Sequence, residues 1–394
     1  MGASSAGSRA LIAKSSTVAP VTWQVVLASG GPRERGRAYG EQAAARIHRS
    51  LAIYEEIFAH YAQLPWAEVR GRGEAFVEAI DGYDVQLLPE IEGIAEGAGV
   101  DPEDVLAMNL RTEIMFGLDA RPAHAAMKEC TAIAWASPAG GGSALVAQNW
   151  DWKPAVRETC VLLACAPHDR PGFVSLVEAG LWAKCGMNEA GVGLATNALQ
   201  SSRDKGEPGV PYHAILRRIL TSATFEEGVE AVTQARRASS ANYLLGHRDG
   251  RAVNLEAAPG GPGDVYASEG PALAHTNHFL WPEPRPFKDV GRIDGEDSMV
   301  RLAAARTAIA AGAASMPEVQ ETLRSHADAP DSVCVHEDPA LAPVEDYATI
   351  TSMVADLAAG TLWVTQGNPC AAPYEPVELA ATVARARAAT SVAR

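Results

Sequence analysis

The spacing of hydrophobic residues changes character near Glu129, and that change constrains the fold more than any other feature of the chain. Before it, apolar residues recur at three- and four-residue intervals. Ile47, Leu51, Tyr54, Ile57 and Tyr61 do so between Pro32 and Gln63, and Val69, Phe76, Ile80, Leu87, Ile91 and Ile94 between Trp66 and Gly99. That period is helical. Gly97, Gly99 and the pair Asp101-Pro102 then end one helix and start a short one, predicted to run to about Glu113. After Glu129 the chain turns to short runs rich in Val, Ala, Leu and Thr, punctuated by Gly and Pro, which read as strands. They are predicted at Thr131–Ala136, Ala144–Asn149, Thr159–Ala166, Phe173–Glu178, Trp182–Gly186 and Val192–Thr196. Helical spacing returns at Tyr212–Thr221 and Phe225–Ala235, and strands resume at Asn242–Gly246, Ala252–Ala257 and Leu273–Thr276. Helices at Ser298–Ala311 and Met316–Arg324 precede a strand pair, Ala348–Asp356 and Thr361–Gln366. Pro138–Gly142 and Pro259–Gly263 read as loops, and no internal repeat is visible. Two sheets covered by two helical layers would bury this order of elements.

Composition narrows the function. Apolar residues are 47% and charged residues 21% of the 394, so the chain can bury a core. A net charge of −15 disfavours an extended nucleic-acid-binding surface. No apolar run reaches the length that spans a bilayer, so no membrane partner is expected. Residues 1–21 read as a flexible extension. Lys14, Ser15, Ser16 and Thr17 interrupt its apolar stretch too early for an export signal. A cytoplasmic chain with reduced thiols follows as the expectation, with residues 22–394 forming one domain.

Local motifs exclude several chemistries. There is no CxxC, HxxxH or HExxH, and His275 and His278, three apart on a strand, would point to opposite faces. No metal and no cofactor are therefore expected. Gly140–Gly142 precedes a strand rather than a helix, the wrong setting for a phosphate loop, and no GxSxG elbow occurs. Of the six cysteines, Cys160, Cys165 and Cys185 sit in apolar strand-like runs and Cys334 and Cys370 in Pro-flanked loops, all read as structural. Cys130 stands where the helical third meets the first strand, after the polar Lys128-Glu129. By itself it too would read as a core thiol.

Other segments single it out. Asn149-Trp150-Asp151-Trp152 closes the next predicted strand, Asn188–Gly193 reads as a hairpin turn, and Asn277 follows an apolar strand. With Gly31–Gly36, Asn109–Glu113, Cys130-Thr131-Ala132, Glu178-Ala179-Gly180, Gly186–Val192, His275–His278 and Gly367-Asn368-Pro369, they occur in an order spanning roughly residues 22–375. The set resembles the acyl-coenzyme A:6-aminopenicillanic-acid acyltransferase family of N-terminal-nucleophile (Ntn) hydrolases. The resemblance implies an α+β fold, the four-layer αββα sandwich with two stacked antiparallel sheets. It implies a precursor that cuts itself between Glu129 and Cys130 into an α chain, 1–129, and a β chain, 130–394, which remain partners.

It also implies roles. Cys130 would be the nucleophile, and its freed α-amine, with an ordinary pKa of about 7.7–8.0, the base. Asp151 would orient that amine, and Asn277 would donate to the oxyanion. Thr131 and Arg111 would be supporting residues, and Arg111 with Glu113 a buried ion-pair cluster holding the two chains together. The expected reaction is hydrolysis of a small N-acyl amine through a thioester, a β-alanyl amide being one candidate. The alternatives are transfer from an acyl-CoA thioester and an unprocessed binding protein. Two departures from the penicillin enzymes matter. Glu129 stands where they have glycine, and Val335 where an arginine follows the cysteine matching Cys334. The second favours hydrolysis, and the acidic balance gives no encouragement to a polyphosphate ligand. Both implied chains are acidic, with 12 basic and 18 acidic residues before Cys130 and 21 and 30 from it onward. Packing, not net charge, would have to hold them together.

Overall fold

The computed structural model describes residues 23–117, 130–136, 144–291, 296–312 and 314–391. The predicted extension 1–21, Glu129 and the Pro138–Gly142 loop lie outside these ranges. Strand β1 (Val25–Gly30) leads into helices α1 (Pro32–Ile57), α2 (Trp66–Arg72), α3 (Val77–Tyr83), α4 (Leu87–Ala98), α5 (Pro102–Asn109) and α6 (Arg111–Phe116). Strands β2 (Thr131–Trp135), β3 (Leu145–Trp152), β4 (Cys160–Pro167), β5 (Phe173–Glu178), β6 (Cys185–Asn188) and β7 (Val192–Ala198) follow. Then come α7 (Tyr212–Leu220), α8 (Phe225–Thr233), β8 (Ala241–His247), β9 (Ala252–Ala257), β10 (Val265–Glu269) and β11 (Ala272–His275). The chain finishes with α9 (Glu296–Ala310), α10 (Met316–Leu323), β12 (Ala348–Asp356), β13 (Thr361–Val364), β14 (Glu375–Glu378) and α11 (Leu379–Ser391).

The strands form two sheets, ordered β1-β4-β5-β6-β7-β8-β9-β10 and β11-β2-β3-β12-β13-β14. Strand alternation explains the layering. Val161, Leu163 and Cys165 of β4 face a core shared with the N-terminal helices, α7 and α8, while Leu162, Ala164 and Ala166 face the second sheet. In that second sheet Ala132, Ala134 and Val146 meet the first, while Ile133, Trp135, Leu145 and Ala147 meet Ala305 of α9 and Val319 and Leu323 of α10. The result is the αββα sandwich. Leu379, Val383 and Ala386 of α11 join the core between the sheets.

One feature departs from the expected antiparallel pairing: β1 runs parallel to β4, with Val25 opposite Leu162. The two are far apart in sequence, so no hairpin forces the antiparallel sense. The strand predicted at Trp182–Gly186 forms three residues later, as β6, and β3 continues past the predicted end at Asn149 to Trp152, so the Asn-Trp-Asp-Trp segment forms its last four residues. The continuous helical reading of Trp66–Gly99 is broken by a 3₁₀ turn at Gly73–Phe76 and by extended Asp84. The predicted short helix to Glu113 is two, α5 and α6.

Helices α1 and α4 pack at backbone contact. A β-carbon on Gly40 would lie 2.2 Å from the carbonyl oxygen of Ile94, and one on Gly97 2.2 Å from that of Arg37. Only hydrogen fits there. The i, i+4 pairs Gly36/Gly40 and Gly93/Gly97 therefore place small residues on one face of each helix.

Candidate active site

Cys130 precedes β2 and is 3% exposed. The β2–β3 register sets Thr131 opposite Asn149, so one step further sets Trp150 opposite Cys130. Alternation then divides the site. Cys130, Trp150 and Trp152 turn to the inner core. Thr131 and Asn149 turn toward the outer helices, where Thr131 Oγ1 accepts from Arg301 of α9 (3.3 Å) and Asn149 Nδ2 donates to the carbonyl of Leu323 (2.8 Å). Asp151 shares the face of Asn149.

Polar groups converge on the main chain of Cys130. Its carbonyl oxygen accepts from Asn197 Nδ2 and from Arg301 Nη1, both at 2.9 Å. Asn242 Nδ2 holds Asn197 by its Oδ1 at 3.1 Å. The other nitrogen of the Arg301 fork donates to Asn277 Oδ1 (3.0 Å) and Asp297 Oδ2 (3.1 Å). Asn277 donates its Nδ2 to the carbonyl of Ala198 (3.0 Å), and Ser298 Oγ accepts its main-chain N–H (2.8 Å). Arg301 thus ties Cys130, Thr131 and Asn277 into one cluster.

Asp151 is fully buried. Its Oδ1 accepts from Thr349 Oγ1 at 2.5 Å, and its Oδ2 has no hydrogen-bond partner among the described residues. Burial raises its pKa to about 6, against the opposing pull of the Arg301 charge and the Thr349 hydroxyl. The sign follows from proton counting. The folded chain keeps a proton that the unfolded chain releases above about pH 4, so this contribution to stability is full below that pH and is lost as pH rises toward 6. In a Cys130→Ala chain, Asp151→Asn is expected to remove that dependence, worth about 3 kcal/mol for a shift of roughly two units. Denaturant unfolding at pH 4 and pH 7 measures it. An unchanged pH slope would refute the assignment.

Arg111 and Glu113 both reach across residue 130, Arg111 as a buried ion pair with Glu178 and Glu113 through hydrogen bonds. Arg111 donates to Glu178 Oε1 and meets His213 Nε2, each at 2.8 Å, and its guanidinium lies 5.0 Å from the Tyr54 ring centroid. His213 Nδ1 faces the carbonyl of Ala183 at 3.0 Å, so Nδ1 carries the proton and Nε2 accepts. Burial, then the Arg111 charge, push its pKa well down and keep it neutral. Glu113 instead accepts from Ser239 Oγ (2.6 Å) and the main-chain N–H of Tyr212 (2.8 Å), and burial raises its pKa. Both residues reach from the segment before residue 130 to the segment after it, through separate partners.

A small cavity of about 30 Å³ adjoins Cys130, lined by Tyr54, Arg111, Thr112, Met115, Phe116, Trp150, Asp151, Trp152, Lys184, Ala198 and Tyr212. It has room for about a water, far below a ligand pocket. Lys184 is buried in its wall, with Nζ 4.2 Å from the Trp150 ring centroid. Sequence reasoning missed Arg301, Asn197, Thr349 and Lys184. Asn197 left a faint signal, a polar residue near the end of an apolar strand, while Arg301 sits among alanines with no local motif.

Residues 138–371 match the family profile described as acyl-coenzyme A:6-aminopenicillanic acid acyl-transferase. Over 257 residues the chain is 30% identical to the 40 kDa form of acyl-coenzyme A:6-aminopenicillanic-acid-acyltransferase of Emericella nidulans, covering 65% of this chain and 69% of that protein. Among solved structures, the N-acylethanolamine-hydrolyzing acid amidase ortholog of Caenorhabditis elegans matches with 15% identity and a TM-score of 0.42, over 58% of this chain and 93% of that one. Penicillin V acylase from Agrobacterium tumefaciens matches with 16% identity and a TM-score of 0.38, over 60% and 83%.

Proposed function

Because the chain belongs to the acyl-coenzyme A:6-aminopenicillanic acid acyl-transferase family, enzymes acting at C–N amide bonds, we propose that it is a self-processing cysteine amidohydrolase of small N-acyl amines. In processing, the Cys130 thiol attacks the carbonyl carbon of Glu129. The C–N bond breaks as a C–S bond forms, and the thiol proton ends on the departing nitrogen, which becomes the α-amine of Cys130. Water then cleaves the thioester, leaving a carboxylate on Glu129 and the thiol on Cys130. In turnover that amine takes the thiol proton, the thiolate attacks the substrate carbonyl, the resulting ammonium returns its proton to the departing amine as the C–N bond breaks, and water then hydrolyses the thioester to release the acid and restore the thiol.

The observation that carries this reading is the buried Oδ2 of Asp151, unpartnered among the described residues, one residue past the position opposite Cys130. A buried carboxylate oxygen without a partner is costly. A new α-ammonium at Cys130 would satisfy it. The small cavity fits a precursor that has yet to open a substrate pocket. Asn277 and Asn197 are the candidate oxyanion donors, held beside Cys130 through Arg301 and Asn242.

Lys184 supports a choice among acyl groups. A buried ammonium in the cavity wall favours a neutral or carboxylate-bearing acyl group and disfavours a cationic β-alanyl one. A panel of N-acyl amines tests this, run with and without an acyl-CoA and a second amine. Hydrolysis without coupled amide is expected, with carboxylated acyl groups preferred and Lys184→Met raising their KM about tenfold. Best turnover of β-alanyl amides would refute the role of Lys184. Amide formation from acyl-CoA would favour the transferase reading that the Emericella relative's name suggests.

A further inference from the structure

Away from Cys130, the fold gathers four side chains that no local motif connects. His326 and Cys334 lie in the segment after α10, His336 two residues on, and Cys370 in the loop after β13. One ligand atom from each lies within 4.8 Å of all the others. The two histidine Nε2 atoms are 3.0 Å apart and the two sulfurs 3.6 Å apart. His336 Nε2 lies 3.3 Å from Cys370 Sγ and 3.9 Å from Cys334 Sγ.

We propose that His326, Cys334, His336 and Cys370 form a structural site for a tetrahedral divalent metal, zinc by its ligand set. Zinc bonds of about 2.3 Å to sulfur and 2.0–2.1 Å to nitrogen give tetrahedral edges of about 3.8 Å between sulfurs, 3.4 Å between nitrogens and 3.6 Å between the two kinds. The four measured edges straddle these values. Two thiolates and two imidazoles suit zinc over calcium or magnesium, which take oxygen ligands. Four protein ligands leave no open position, so the ion holds structure and performs no chemistry. A supporting hydrogen bond is in place: Asn368 Nδ2 donates to Cys334 Sγ at 3.6 Å.

The site lies where an ion would steady the catalytic strands. Val335, between two ligands, donates its main-chain N–H to Thr349 Oγ1 (3.0 Å), and that hydroxyl holds Asp151. Val333 accepts from Asn149 Nδ2 at 2.9 Å. The ion would clamp the segment between α10 and β12 to the loop carrying Cys370, and through these bonds fix the outer side of β3. The earlier expectation of no metal rested on local motifs, and these ligands are separated by 8, 2 and 34 positions in the sequence.

Elemental analysis of the full-length protein, purified from zinc-supplemented medium without chelator, tests the site. About one zinc per chain is expected, falling to background in Cys370→Ser and in His326→Ala, with a lower thermal midpoint when a chelator strips the wild type. Cys370 and His326 are exposed, so both variants are expected to fold, and circular dichroism checks it. Substitution with cobalt should give the intense visible bands of a tetrahedral thiolate site. No metal above background in the wild type would overturn the proposal. So would stoichiometry unchanged in both variants, or an intact mass two hydrogens lighter, marking a Cys334–Cys370 disulfide in place of the site.

Discussion

Cys130→Ala is expected to leave the protein as one intact chain with no amidase turnover, while the wild type separates into residues 1–129 and 130–394 under denaturing conditions. Both losses have one cause. Processing and catalysis need the same sulfur, and alanine offers no nucleophile for either. The turnover deficit should be at least about 10⁴-fold, the scale seen when a nucleophile is removed and only binding and oxyanion contacts remain. Cys130→Ser should cut slowly, because an alcohol is a weaker nucleophile than a thiol with the same neighbouring base. Intact-mass spectrometry after extended incubation reads the outcome. A wild-type chain that stays whole yet hydrolyses amides would refute the N-terminal-nucleophile mechanism, and so would an alanine variant that is still cut before residue 130.

Arg301 carries the second large effect. It is 1% exposed, and its fork reaches the Cys130 carbonyl, Thr131, Asn277 and Asp297. Arg301→Met would leave the buried Asn277 Oδ1 and the part-buried Asp297 without this donor and so destabilise the fold. Arg301→Lys keeps the charge but not the planar fork, so it should fold and lose geometry. A kcat about 100-fold lower with little change in KM is expected, the size of losing one oxyanion donor. Titration separates this from general destabilisation. Arg301 lowers the pKa of Asp151, so the Met variant should move the acidic limb of the processing rate to higher pH while the Lys variant leaves it in place. Equal limbs in both variants would show that Arg301 acts only as packing.

The helical first third and the switch to short strands were legible because each is written in local period. Phe173–Glu178, Ala252–Ala257 and Ala348–Asp356 form as read from the sequence. β10 and β14 were not legible. They are edge strands with exposed or half-exposed residues, so burial does not impose a strong alternation on them. β1 and α11 were not read from the sequence either, although Val25-Val26-Leu27 is an apolar run. The carboxylate that pairs with Arg111 was not legible, because closeness in sequence does not decide which acid shares a core with an arginine; it is Glu178, from a strand 67 positions away.

By itself the sequence determined the order of elements and the layered class they can build, which depend on side-chain period; the candidate nucleophile Cys130 and the carboxylate of Asp151 came from the ordered motifs that carry the family resemblance. Only the tertiary structure decided that Arg301 and Asn197 meet at the Cys130 carbonyl, that one buried oxygen of Asp151 has no partner among the described residues, and that His326, Cys334, His336 and Cys370 converge. Those positions depend on how α9, β7 and the loops around β12 pack across layers, and a local hydrophobic period carries no information about which distant polar groups that packing brings within hydrogen-bond or ligand distance.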